Sequence, residues 1–147
     1  MTSGQAPNRE VRQAAMDLLA RREHSRRELL DKLCRRFERP RAEAAIEGLR
    51  ADGLQCDRRF AEAYVRQRSQ RGYGPLRIRQ ELRQRGVDDS DVAAAFDNNE
   101  LDWHALLADL VERKYGRKAA GDLKEKARRQ RFLQHRGFSP EQIRALL

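Results

Sequence analysis

The chain has 147 residues, a formal charge of +9 and a pI near 10.3, with 37% charged, 39% apolar and 6% aromatic residues. That length makes one ordinary domain or several small units on a continuous core, and so few apolar residues support only a modest core beneath a densely charged surface. No apolar run approaches the ~18 residues of a membrane span, the start MTSGQAPNR lacks the apolar stretch of a signal peptide, and Cys34 and Cys56 lack a CxxC spacing and read as free thiols, so the sequence predicts a soluble cytoplasmic protein.

Lys32, Lys114, Lys118, Lys124 and Lys126 are the lysines among 32 basic residues, and arginine supplies the rest. Such an excess favours a polyanionic partner or an acidic protein surface. The alternative is a solvated face that meets no partner.

In chain order, residues 1–10 read as a disordered tail. Apolar residues then recur at helical spacing throughout, with almost no strand signal. Val11, Ala15, Leu18 and Leu19 line one face, followed by Leu29, Leu30, Leu33 and Phe37, then Ala45, Ile46 and Leu49. Phe60, Ala61, Tyr64 and Val65 begin a second set, continued by Ile78 and Leu82, then Val92, Ala95 and Phe96. Trp103, Leu106, Leu107, Leu110 and Val111 begin a third, continued by Phe132 and Leu133 and ended by Ile143, Leu146 and Leu147. The pattern predicts about nine helices in three groups of three.

The groups are copies of one another. QELRQRGVDDSDVAAAF (80–96) aligns with RFLQHRGFSPEQIRALL (131–147), so that Leu82 meets Leu133, Arg85 meets Arg136 and Gly86 meets Gly137. HSRRELLDKLCRRF (24–37) aligns with YGPLRIRQELRQRG (73–86), placing Ser25 opposite Gly74 and Leu33 opposite Leu82. Self-similarity of this kind marks a repeat architecture. The expected fold is all-α: three tandem three-helix repeats over 11–54, 57–98 and 102–147, forming an elongated, curved solenoid-like chain.

Helix-end chemistry supports the same boundaries. Ser25 and Glu28 have capping-box spacing, as do Ser139 and Gln142. Gly74 followed by Pro75 suits an N-cap and first helical residue, because proline's missing N–H has no intrahelical partner there. Tyr73 and Ile78 then have the spacing of a hydrophobic staple. Gly86 and Gly137 suit the left-handed position that ends a helix.

The stretch GYGP (72–75) is no phosphate loop. No strand precedes it, no Gly-Lys-Ser/Thr follows, and it lacks a third glycine at dinucleotide spacing. His24, His104 and His135 are far apart, in no metal-ligating pattern, and two of the five serines are spent as caps. Carboxylates fall at i,i+4 to arginine, as in Arg77–Glu81 and Glu81–Arg85. No nucleophile–base set, metal site, cofactor site or small-molecule substrate emerges, and the expectation is a protein without enzymatic activity.

The basic side chains are the candidates for binding. Arg26, Arg27, Arg35 and Arg36 cluster about the second helix of the first repeat, and Arg77, Arg79 and Arg83 mark its counterpart in the second. The densest run, Arg113 to Arg131, holds Arg117, Lys118, Lys124, Lys126, Arg128 and Arg129 around an irregular linker near Gly116 and Gly121. Guanidinium groups grip phosphate and carboxylate bidentately, so such a surface serves DNA or an acidic protein groove. Tyr73 and Tyr115 could stack on bases, although Tyr73 is favoured as the staple.

With LLARREHSRRELLDKL (18–33), DRRFAEAYVRQRSQRGYGPLRIRQEL (57–82) and FLQHRGFS (132–139) in view, the chain resembles the RecX family of regulatory proteins over nearly its full length. Phe60, Ala61, Arg68, Gly72, Gly74, Pro75, Ile78, Glu81, Leu82 and Gly86 stand at the family's spacings. One departure is GLQCDRRFA, which keeps Asp57 but places Gln55 and Cys56 where the family commonly has an aliphatic residue and another aspartate. The resemblance implies a modular protein acting on the RecA recombinase filament and mainly inhibiting its ATPase, strand exchange and coprotease activities. It therefore belongs with DNA repair, homologous recombination and the SOS response. Weak, salt-dependent contact with single- or double-stranded DNA is also implied, with Arg68 added to the basic candidates above.

A competing reading is a direct DNA-binding regulator in which helices meeting at RGVD and RGFS imitate helix-turn-helix units. Its second helix would be DSDVAAAFDN, which is acidic and would be repelled by phosphate. Only Asn98 and Asn99 there suit base reading.

Overall fold

A computed structural model describes residues 5–147, and every regular element among them is an α-helix. In chain order these are α1 (Gln5–Arg21), α2 (Arg26–Leu33), α3 (Arg39–Ala51), α4 (Asp57–Gln70), α5 (Pro75–Gln84), α6 (Asp89–Asn99), α7 (Trp103–Tyr115), α8 (Leu123–His135) and α9 (Pro140–Leu146). The expected tail over 1–10 is corrected in part: residues 1–4 lie outside the described residues, and the chain is helical from Gln5. Pro7 does not prevent this, because the N–H it lacks would have no acceptor in a first turn.

The helices pack in threes, each trio around its own core. Val11, Ala15, Leu29, Ile46 and Leu49 fill the first, Phe60, Val65, Ile78, Leu82 and Val92 the second, and Leu107, Leu110, Leu133, Phe138 and Ile143 the third. Trp103 belongs to two of them, its ring centroid 5.9 Å from Phe96 and 6.4 Å from Phe138. The third repeat is looser in one respect. α1 packs on α2 and α4 on α5, whereas α7 and α8 each pack on α9 and meet one another chiefly through Tyr115, Phe132 and Arg129.

Both capping boxes form, at Ser25–Glu28 and Ser139–Gln142. α5 and α8 end on glycines in the left-handed region, Gly86 (φ 81°) and Gly137 (φ 103°), and the next N–H folds back: Val87 onto the Leu82 carbonyl at 3.1 Å, Phe138 onto that of Leu133 at 3.2 Å. This returns Val87 and Phe138 to their cores, as the helix-stop rule requires.

The repeats join through these same corners. At the first junction the Ser25 hydroxyl accepts from the Glu28 N–H at 3.1 Å, capping α2, and donates to the Arg85 carbonyl at the end of α5 at 2.8 Å. At the second, the Gly74 N–H donates to the Arg136 carbonyl at 2.7 Å and the Leu76 N–H to the Gly137 carbonyl at 3.0 Å. Helix starts leave amides unpaired and helix ends leave carbonyls unpaired, so each junction satisfies both. A Cβ on Gly74 would fall 2.5 Å from the Gly137 carbonyl, which is why the second junction needs glycine. The start of α2 thus meets the end of α5, and the start of α5 meets the end of α8. Their dipoles run head to tail in a favourable sense.

Around the first junction the buried Gln55 amide donates to the His24 carbonyl at 3.3 Å and to Asp57 Oδ1 at 3.0 Å, while Asp57 Oδ1 accepts from the Arg26 N–H at 2.8 Å. Glu23 and Arg59 pair across it at 2.8 Å. The unusual Gln55 therefore ties the two repeats together.

Candidate partner-binding surface

The head-to-tail arrangement turns α2, α5 and α8 into one row. Their 8, 10 and 13 residues give a helical contour of about 45 Å at 1.5 Å per residue. Exposed cations stand along it: Arg27 on α2, Arg79 and Arg83 on α5, and Lys124, Lys126 and Arg128 on α8. Arg79 lies 4.5 Å over the Phe96 ring and Arg83 pairs with Asp89 at 3.1 Å, so these two are propped on their own repeat. Arg35 and Arg36 are exposed just past the end of α2, with Arg36 5.0 Å over Phe37. Arg117 and Lys118 are exposed on the segment between α7 and α8, and Arg26 is half-buried.

Three of the predicted cations are placed otherwise. Arg129 is 6% exposed: it donates to Glu125 at 2.9 Å and to the Lys118 carbonyl at 2.9 Å, and its guanidinium lies 4.4 Å over the Tyr115 ring. It is a clamp on the third repeat, not a surface contact. Arg68 is turned inward, forking onto Glu81 with Nε 3.1 Å from Oε1 and Nη2 2.9 Å from Oε2. Arg77 donates to Glu81 at 3.4 Å and to the His135 carbonyl at 3.2 Å, across the second junction.

Glu81 is the hub of this cluster, since the Tyr64 hydroxyl also donates to it at 2.9 Å. Burial by itself would raise its pKa, but the hydrogen bonds from Arg68 and Tyr64 and the Arg68 charge outweigh burial and hold it below the usual carboxylate value. Burial and the bond to Glu81 push the Tyr64 phenol up to about 12. The expected Glu81–Arg85 side-chain pair is absent. Arg85 instead donates to the Glu81 backbone carbonyl at 3.2 Å and approaches Glu28 at 3.5 Å, crossing the first junction.

The Tyr73 ring is covered by the guanidinium groups of Arg68 (3.7 Å), Arg77 (4.7 Å) and Arg136 (4.7 Å) and packs against the second core. It is the staple, and its face is not free for a base. Tyr115 packs edge-on to Phe132 at 6.1 Å. Asn98 donates to Glu62 at 2.8 Å, and Asn99 to the Glu62 and Ala95 carbonyls at 3.1 and 2.8 Å, so the only base-reading candidates of α6 are spent internally.

His24 is buried at the first junction. Its Nδ1–H donates to the Arg22 carbonyl and its Nε2 accepts from Lys32, both at 3.0 Å. Burial, with the Arg22 and Lys32 charges, lowers its pKa. Among the described residues no group of three or more His, Cys, Asp or Glu side chains could hold a metal ion, and no helix is long and apolar enough to cross a membrane.

The sequence rules that found the caps could not find Gln55 or Arg136 as junction residues, or Tyr64 as a partner of Glu81, because the groups they meet are remote in sequence or lie in another helix. The arginine content of the middle motif was the one available signal.

Comparison with known proteins meets this geometry repeat by repeat. Family models described as the first, second and third three-helix domains of RecX match residues 12–49, 57–95 and 100–147. Regulatory protein RecX of Halorhodospira halophila is 46% identical over 146 residues, covering 99% of this chain and 91% of that protein. The regulatory protein RecX of Pseudomonas fluorescens Pf-5 is 45% identical over 138 residues, covering 93% and 89%. A crystal structure of a regulatory protein RecX superposes with a TM-score of 0.79 at 22% identity, covering 98% of this chain and 74% of that one. Crystalline RecX from Lactobacillus salivarius gives 0.73 at 23% identity, covering 97% and 95%. At those identities the crystal structures speak for the fold.

Proposed function

The chain belongs to the RecX family of regulatory proteins, and from that premise we propose that it binds the RecA recombinase filament on DNA and restrains its ATPase, strand exchange and coprotease activities. The observation that carries the reading is the α2–α5–α8 row, whose exposed Arg27, Arg79, Arg83, Lys124, Lys126 and Arg128 present positive charge over all three repeats. A contour of about 45 Å suits a partner that is itself repetitive and anionic, such as a filament groove, better than a compact ligand. Contact with DNA is weak and salt-dependent on this reading, because it rests on charge without base readers.

The test is a titration of RecA's DNA-dependent ATPase. Inhibition should appear below one protein per recombinase subunit, and an unchanged rate at excess protein sinks the reading. Arg79→Glu with Arg83→Glu should weaken inhibition about tenfold, roughly 1.4 kcal/mol, while the helical circular dichroism stays unchanged. Full inhibition by that variant would move the contact off α5.

A further inference from the structure

The connection between α7 and α8 borders a groove in the third repeat. Seven residues, 116–122, connect these two helices, where four-residue corners connect α1 to α2 and α4 to α5. The longer connection forms one wall of a groove of about 670 Å³ between α7, the connecting segment, α8 and the end of α9. That volume is within the range of ordinary ligand sites, roughly 300–1,000 Å³.

The groove has an apolar floor and a cationic rim. Ala108, Val111, Ala120 and Leu146 supply the floor, and Lys118 on the connecting segment and Lys126 on α8 stand at its walls. Neither lysine has a carboxylate within ion-pair distance among the described residues, whereas Arg117 beside them is paired with Glu112 at 3.0 Å. The wall is braced from within: Arg129 ties the Lys118 carbonyl to α8, and Glu125, capped by Asp122, accepts from the Gly121 N–H at 3.0 Å. Arg129 Nε is the buried side-chain nitrogen without an acceptor among the described residues, and Arg129 lines this groove. The site is therefore preformed, apolar at its centre and net positive, since the one carboxylate in its lining, Glu112, is paired with Arg117.

We infer that this groove in the third repeat is a docking site for a short acidic segment of a protein partner that inserts an aliphatic side chain between carboxylates. The chemistry selects among occupants. A nucleic-acid backbone offers charge but no aliphatic group for Val111 and Leu146. A fatty acid offers one charge at one end, while cations stand on two walls. A peptide with carboxylates flanking a leucine satisfies both floor and rim, in the manner of an apolar anchor with a polar surround. The inference holds whichever protein supplies the segment and does not depend on the filament reading; the assay below contains no recombinase.

The experiment uses the full chain with methyl-labelled Val and Leu, titrated with a blocked Asp-Glu-Leu-Leu-Glu-Asp peptide and its Asp-Glu-Ser-Ser-Glu-Asp counterpart at near-physiological salt. Val111 and Leu146 methyl resonances should shift saturably with the leucine peptide. Lys118→Glu with Lys126→Glu should weaken that binding at least about tenfold. Arg131→Glu, a comparable charge change on an exposed α8 residue outside both the groove and the cationic row, should stay within about twofold. The inference is overturned by no saturable shift at about 1 mM peptide, by equal binding of the serine peptide, or by equal loss in the Arg131 variant. It is equally overturned if decanoate or a thymidine oligonucleotide saturates the same methyl shifts more tightly than the peptide. Concentration-dependent shifts without any ligand would assign the groove to a second copy of the chain and overturn it too.

Discussion

The two junctions between repeats present the same pair of surfaces and hold them by different means. In each, the start of one second helix sits on the carbonyls that end the next: Ser25 on Arg85, and Gly74 with Leu76 on Arg136 and Gly137. The first contact is made by a side chain that also caps its own helix. The second is centred on backbone bonds, with the Arg77 and Arg136 side chains donating across it to the His135 and Arg71 carbonyls, so the corners approach until no Cβ fits at Gly74. A hydroxyl can be replaced or bridged by water at modest cost, whereas backbone in contact with backbone has nowhere to go. The second junction should thus be the rigid one and the first the adjustable one. His24, Glu28 and Arg85 around the first give it sensitivity to charge, while Arg68, Arg77 and Arg136 stacked about Tyr73 brace the second.

The largest effect should come from adding a methyl group at the second junction. Gly137→Ala combines a φ of 103° with a Cβ 2.7 Å from the Arg77 backbone nitrogen, and should cost about 3 kcal/mol in urea unfolding. Gly74→Ala should cost about 2–3 kcal/mol from overpacking. At the first junction the counterpart Gly86→Ala, at φ 81°, meets Arg27 Cδ at 2.8 Å and Cβ at 2.9 Å but no backbone atom, so a smaller cost of about 2 kcal/mol is expected. Equal losses at Gly86 and Gly137 would break the comparison.

Ser25→Ala ranks next. It removes a helix cap, worth about 1 kcal/mol, and leaves the Arg85 carbonyl without that donor, for a total near 1–2 kcal/mol. Native-state amide exchange should speed at Arg26, Glu28 and Leu29 and stay unchanged at Gly74 and Leu76. Acceleration at both corners would mean that the junctions open together.

The smallest effect is on acidification. His24 has a folded pKa below its ordinary 6.5, so the unfolded chain binds the extra proton first and stability falls as pH drops below that value. Glu28 and Glu81 lie below their ordinary 4.5, so the stability they add is full above that value and is lost as pH falls through their folded values. Between pH 7 and about pH 5 only the His24 contribution changes among these. The groups facing it are Arg22, Lys32 and Glu28, of which the two cations oppose its protonation. Amide exchange around Gln55 should therefore quicken in that window while the Gly74 corner holds. The reverse order would place the sensitive element in the second repeat.

Much of the architecture was legible before any coordinates. Capping boxes, Pro75, Gly86 and Gly137 act through bonds that span a few residues, so their rules apply to a sequence directly, and the alignments of 24–37 with 73–86 and of 80–96 with 131–147 disclosed the threefold plan. The packing of one repeat on the next was not legible. Nothing near Gly74 in sequence says that its amide is completed by Arg136, or that Arg85 leaves Glu81 for Glu28 while Arg68 takes its place. The basic run from Arg113 to Arg131 was equally opaque, because arginine's long stem serves a buried clamp as well as a solvated face. Arg129 proved to be the clamp, and Lys126 three residues earlier stays exposed. By itself the sequence determined the helix ends marked by Ser25, Pro75, Gly86, Gly137 and Ser139 and most of the residues that face each core, because those outcomes depend on neighbours within a turn or two. Only the tertiary structure decided which charges are free to meet a partner and how the corners lock, because both depend on residues brought together from across the chain by the packing of whole repeats.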